Sequence, residues 1–307
     1  LKKSLYILVL CLVLSCFTML FSACANKDNN ETMEKVNMDI KKNNEVNLNI
    51  MVTDKFLYFM TKNIVNDKHF VQYMFKNKEE EFNYIYSEDS LNNISKQDLF
   101  IYNGAGLEPW INEFLDKLNK SKVGVINISR GINLLSYNKQ VKYKNLVLKN
   151  NPYYWLNIDN YKIALLNIKN SIQDKDPRNR DYYEKNFSNK LKELEGYEKR
   201  FKEIGNKFKN YTMLYSEDDL EYLIRYSNMK VTKLTGGESD EYLEEKIKDT
   251  KNIVFLYSND EELKKNEELL KKYNVKTVKL IVYQENMDYI NILKYNINNL
   301  EAILKNS

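Results

Sequence analysis

The stretch DLFIYNGAGLEPW, Asp98 to Trp110, decides how the fold is read. Leu99, Phe100, Ile101 and Tyr102 form a short unbroken apolar run, the mark of a strand covered on both faces. Ile111, Phe114, Leu115 and Leu118 then recur on one side of a helix. Strand, glycine turn and helix in that order is the arrangement of phosphate-binding loops. Two residues speak against phosphate here. Pro109 stands where a dinucleotide fingerprint needs its third glycine, and Glu108 puts a carboxylate at the helix start, where it repels an anion.

The same alternation runs outward from this stretch. Strand-like runs at 48–52, 70–75, 99–102 and 123–128 are separated by helical patterns, and a second set lies at 211–215, 230–234, 253–257 and 277–282. Strands separated by helices imply parallel sheets with right-handed crossovers. Two sets of four predict an α/β protein of two lobes, each a parallel four-stranded sheet flanked by helices. Between them, over 181–210, Phe187, Leu191, Leu194, Tyr197, Phe201, Ile204 and Phe208 make a single apolar stripe on a helix of roughly 45 Å. It suits a brace across both lobes or the arm of a coiled-coil dimer. Tyr289, Leu293, Ile297, Leu300 and Leu304 mark a last amphipathic helix.

At the other end, Lys2 and Lys3 precede an uncharged run from Ser4 to Ala23 that leads directly into Cys24. Such a run resembles a bacterial lipoprotein signal, cut before a lipid-modified cysteine; the alternative is an uncleaved membrane anchor. Cys11 and Cys16 lie inside the run, so only Cys24 survives cleavage, and a single cysteine forms no internal disulfide. The expected partition is a leader at 1–23, a polar tether at 24–46, a first lobe at 47–175, a backbone helix at 176–210 and a second lobe at 211–307. The formal charge of the 307 residues is +4, two units of it from Lys2 and Lys3, which gives no support to nucleic-acid binding.

Four stretches together resemble the solute-binding lipoproteins of zinc and manganese ABC importers, a group that includes proteins once described as streptococcal adhesins. DLFIYNGAGLEPW is similar to that family's strand and loop ending in Gly-Leu-Glu-x-Trp. NPYYWLNIDNYKIALLNIKNSI, Asn151 to Ile172, is similar to its Asp-Pro-His-x-Trp-Leu segment, DPRNRDYYEKNFSNKL to the start of its backbone helix and DYINILKYNINNLEAIL to its final helix. The resemblance implies a lipid-anchored protein outside the cytoplasmic membrane that passes a metal ion or small solute to an ABC permease. It further implies a transition metal held between the lobes by histidines and carboxylates, groups suited to zinc and manganese.

The chain has one histidine. Matched position by position, Phe82 stands in place of the first histidine and Tyr153 in place of the second. Glu217, in YSEDDLEYL, matches a carboxylate ligand of the manganese branch. The fourth position falls at Tyr283 or Glu285. Phe offers no lone pair, and a phenol with a pKa near ~10 is a poor ligand for zinc or manganese at neutral pH, although ferric iron suits tyrosinates. Each residue has a plainer role. Phe82 and Tyr153 suit aromatic packing, and Glu217 suits the positive end of a helix. His69, before an early strand, is expected at the surface.

Two functions follow. The first is a metal importer's binding protein with a degenerate or altered site. The second keeps the fold and holds an organic ligand, or serves as a surface adhesion module, with Tyr84, Trp155 and Tyr257 joining Phe82 and Tyr153 in an aromatic cleft. Catalysis is disfavoured, because no Ser-His or Cys-His pairing is in view.

Overall fold

The computed structural model describes residues 46–143, 146–235, 240–247 and 252–305. The leader, Cys24 and all of the tether but Val46 lie outside the described residues. No helix among the described residues is long and apolar enough to cross a membrane.

In chain order the elements are β1 (Asn49–Asp54), α1 (Lys55–Val65), β2 (Phe70–Phe75), α2 (Lys78–Phe82), α3 (Glu88–Ser95), β3 (Leu99–Tyr102), α4 (Ile111–Lys117) and β4 (Gly124–Asn127). A hairpin of β5 (Ser136–Tyr143) and β6 (Leu146–Asn150) follows, then α5 (Ile158–Lys175) and α6 (Arg180–Lys207). The second set is β7 (Thr212–Tyr215), α7 (Glu221–Ser227), β8 (Val231–Lys233), α8 (Asp240–Ile247), β9 (Ile253–Tyr257), α9 (Asp260–Lys265), α10 (Glu267–Lys272), β10 (Lys276–Lys279) and α11 (Tyr289–Lys305).

Both expected sheets form. The first has strand order β2-β1-β3-β4 and the second β10-β9-β7-β8, and every pairing in them is parallel. In each sheet the winding direction reverses between the two central strands, β1 and β3 in one, β7 and β9 in the other. The crevice at the carboxyl ends of such a pair is where open α/β sheets place their ligands. Both sheets belong to one compact unit that begins at Asn47.

The single-striped helix is α6, 28 residues long, which at 1.5 Å per residue spans about 42 Å. Tyr183, Phe187, Leu194, Phe201 and Ile204 bury its stripe. It touches α1 and α5 on one side and α7 and α11 on the other, so it braces both sheets. Asn186 donates to the Ile64 carbonyl at 2.8 Å beside the first sheet, and Arg200 pairs with Glu301 of α11 at 3.0 Å beside the second.

Three local readings are corrected. The β5–β6 hairpin went unforeseen, because its sequence carries lysine and asparagine through both strands and lacks a clean apolar alternation. The last strand ends at Lys279, not Val282. The Asn296 side chain binds both the N–H and the carbonyl of Ile281, at 2.7 and 2.9 Å, and draws the chain out of the ladder. His69, expected at the surface, is 4% exposed. Its Nε2 meets the Tyr183 hydroxyl at 2.6 Å, Tyr183 donates to Asp176 at 2.5 Å, and the Leu48 N–H donates to Nδ1 at 3.3 Å.

Candidate functional site

At the first crevice the glycine turn finds its anion within the chain. Gly104, Ala105 and Gly106 all take positive φ, of 73°, 56° and 88°. This bends the backbone around the Glu108 carboxylate, which accepts from the N–H groups of Asn103 and Gly104 at 2.7 and 3.0 Å and from the Thr53 hydroxyl at 2.9 Å. Asp54, the last residue of β1, caps α1 by accepting the Leu57 N–H at 2.7 Å and receives the Asn103 amide at 2.8 Å. Glu81 of α2 is fully buried, and among the described residues neither of its carboxyl oxygens has a hydrogen-bond partner of good geometry. Burial, reinforced by Asp54 and Glu108, pushes Glu81 well above the ordinary carboxylate range; burial pushes Glu108 up to about 7.

The second crevice is built the same way. Glu217, just past β7, turns to the loop after β9, where it accepts from the Ser258 N–H at 2.8 Å, the Ser258 hydroxyl and the Asn259 N–H at 3.4 Å. Desolvation raises its pKa against those three donors. Its neighbour Asp219 accepts from the Tyr137 hydroxyl at 2.9 Å, and Asp218 binds Lys233 and the Asn138 side-chain amide.

Between the crevices stands a group of aromatic side chains with a cation on it. Tyr153 lies edge-on to Trp155, with ring centres 5.6 Å apart, and the Trp155 indole N–H donates to the Val282 carbonyl at 2.9 Å, next to Tyr283. The Lys78 ammonium, from the first turn of α2, is 3.9 Å from the centre of the Tyr153 ring, 4.3 Å from that of Tyr283 and 6.0 Å from that of Trp155. Among the described residues it has no hydrogen bond or ion pair. Burial pushes it down to about 8, against the pull of Asp219, Glu81 and Asp54.

A model of the family described as zinc-uptake complex component A, periplasmic (ZnuA), matches residues 50–303, from β1 to α11. The chain belongs to that family. It is 27% identical over 184 residues to a metal ABC transporter substrate-binding lipoprotein of Lactococcus lactis, covering 58% of this chain and 54% of that protein. It is 24% identical over 235 residues to the high-affinity zinc uptake system protein ZnuA of Bacillus subtilis, covering 75% and 71%. A manganese ABC transporter substrate-binding lipoprotein, PsaA of Streptococcus pneumoniae, is 31% identical over 156 residues, 48% of this chain and 49% of that one. The chain thus spans about half the length of two of these relatives. Among solved structures, the metal-dependent lipoprotein YcdH of Bacillus subtilis superposes with a TM-score of 0.66 at 23% identity, over 84% of this chain and 98% of that one, which supports the fold.

Phe82 and Tyr153, the residues matched to the family's histidines, carry no imidazole. The structure draws Tyr153, Tyr283 and Trp155 into one group around Lys78, and Glu217 adds to the negative field on Tyr153. Phe82 packs on the main core at the end of α2. Two residues grouped with the aromatic cleft go elsewhere. Tyr84 packs on Phe75 and Trp110, ring centres 4.8 and 5.0 Å away, and Tyr257 joins the cluster of Leu214 and Phe255. Glu285 is exposed in the turn beyond Tyr283. Burial, with Asp219 and Glu217 near Tyr153 and Asp54 and Glu81 near Tyr283, pushes both phenols far above their ordinary pKa. No group of three or more His, Cys, Asp or Glu among the described residues is placed to hold a metal ion.

Sequence reading missed Lys78, Asp54, Glu81 and Asp219. Two signals were present. Asp54 ends a central parallel strand, where α/β sheets carry their sites. Lys78 puts a positive charge at a helix start, against the dipole, beside three glutamates that favour that end.

Proposed function

We propose that this chain is the extracytoplasmic solute-binding lipoprotein of an ABC importer, held to the membrane through Cys24 and presenting its cleft to a permease. The observation that carries the reading is the span of the family match, which runs through both sheets and the helix that braces them. The relatives named for this role are zinc and manganese proteins. In this chain the residues matched to metal ligands are Phe82, Tyr153, Glu217 and Tyr283 or Glu285, so the solute site is altered and zinc or manganese is bound far more weakly than in those relatives.

Membranes from cells producing the tagged, lipid-anchored protein test the importer role. After mild detergent extraction a permease and its ATPase are expected to co-purify with it, and Cys24→Ala is expected to release the protein from the membrane fraction. Recovery without any permease, across detergents that keep other importers intact, overturns the reading.

A further inference from the structure

We propose that the cleft between the two sheets is built around a primary ammonium group, which Lys78 supplies from within the chain in place of a divalent metal. The proposal rests on the importer reading only for where a solute sits, and its test involves no permease.

Three observations converge on it. The first is position. The Lys78 ammonium lies over the faces of Tyr153 and Tyr283, at 3.9 and 4.3 Å, and these residues occupy two of the positions matched to metal ligands. One ring comes from the loop before α5 and the other from the turn after β10, so a single cation from α2 joins side chains of both halves. The second is chemistry. The faces of Tyr and Trp carry the negative part of the ring quadrupole and bind an ammonium without donating a lone pair, whereas zinc and manganese need lone pairs from nitrogen or oxygen. Turning the rings face-on therefore selects an ammonium over a metal.

The third is charge. Asp54, Glu81 and Asp219, from three separate segments, all act on Lys78, and none forms an ion pair with it among the described residues. Each of these carboxyl groups favours the charged form of the Lys78 ammonium. Lys78 carries that charge on a flexible four-carbon stem, and the charge stays in the molecule whether or not solute is present.

The test removes the tethered cation and returns a free one. In the purified protein, Lys78→Ala is expected to lower the melting temperature by roughly 2–4 °C, the shift of one lost interaction of this class in a chain of this size. Millimolar n-propylammonium is expected to restore much of that loss in Lys78→Ala while leaving the native protein unchanged, and n-propanol, which matches the stem without the charge, is expected to do nothing. Equal responses to propylammonium and propanol, or to neither, overturn the proposal. If Lys78→Ala does not fold, Lys78→Arg and Lys78→Met replace it: arginine keeps a cation on the rings and should melt near the native protein, with methionine below it. Arginine and methionine melting alike overturns the proposal. Loss of permease co-purification with rescue intact would remove the importer role and leave this assignment standing.

Discussion

His69 accepts the Leu48 N–H at Nδ1, so that nitrogen carries no proton, and Nε2–H faces the Tyr183 hydroxyl, which in turn donates to Asp176. The ring is therefore neutral in the fold. Burial holds its pKa below the ordinary imidazole range, although Asp176 pulls the other way from 3.7 Å. A base with a depressed folded pKa contributes stability that is intact above the unfolded value of about 6.5 and lost as pH falls below it, because the unfolded chain takes up the proton first. Glu108 has the opposite sign: raised to about 7 by burial, it favours the fold at low pH and costs stability as pH rises. The difference between two proteins isolates the histidine. Melting temperatures of the native protein and His69→Gln, followed from pH 7.5 to 5, should diverge at the upper end and converge toward the lower; parallel curves would contradict this account. Sequence showed a lone histidine before a strand and nothing of Tyr183 or Asp176, which come from more than a hundred residues further along.

At the scale of elements, the glycine turn after β3 is the segment whose sequence said most. Gly104 has φ of +73°, and a Cβ there would lie 2.2 Å from the Asn127 side-chain oxygen and 2.5 Å from the Ser129 hydroxyl, two groups already bonded to each other. Gly106 has φ of +88° with open space around it. Gly104→Ala should thus cost about 2–4 kcal/mol, adding overpacking to backbone strain, and Gly106→Ala about 1–2 kcal/mol from strain alone. Urea unfolding of both variants checks the ranking, and equal losses would show that packing against Asn127 is relieved by movement. The central parallel strands were legible because both of their faces are covered, which leaves unbroken apolar runs such as Leu99–Tyr102. Strand ends and the β5–β6 hairpin were not, because side-chain bonds such as Asn296 to Ile281 decide them across long gaps in sequence.

For the whole molecule, the altered site proposed above predicts a flat response to metals. A solute at a hundred times its Kd stabilises a native protein by about 2.7 kcal/mol, several degrees of melting temperature in a chain of this size. Zinc, manganese and ferric ions, each added to the native protein at 100 μM, should shift it by less than about 2 °C; a large rise with zinc or manganese would show that Tyr153, Glu217 and Tyr283 rearrange into a working site. The missing imidazoles could be read directly from a chain with one histidine. What replaced them could not, since Lys78 reaches Tyr283 from about two hundred residues away and no local pattern announces the meeting. The α6 helix adds a mechanical consequence. A clamshell gapes when its halves are joined by slack strands, but here one continuous rod is fastened to α1 near one sheet and to α11 near the other. Any widening of the gap must tilt or flex that rod, or break its seats on α1 and α11.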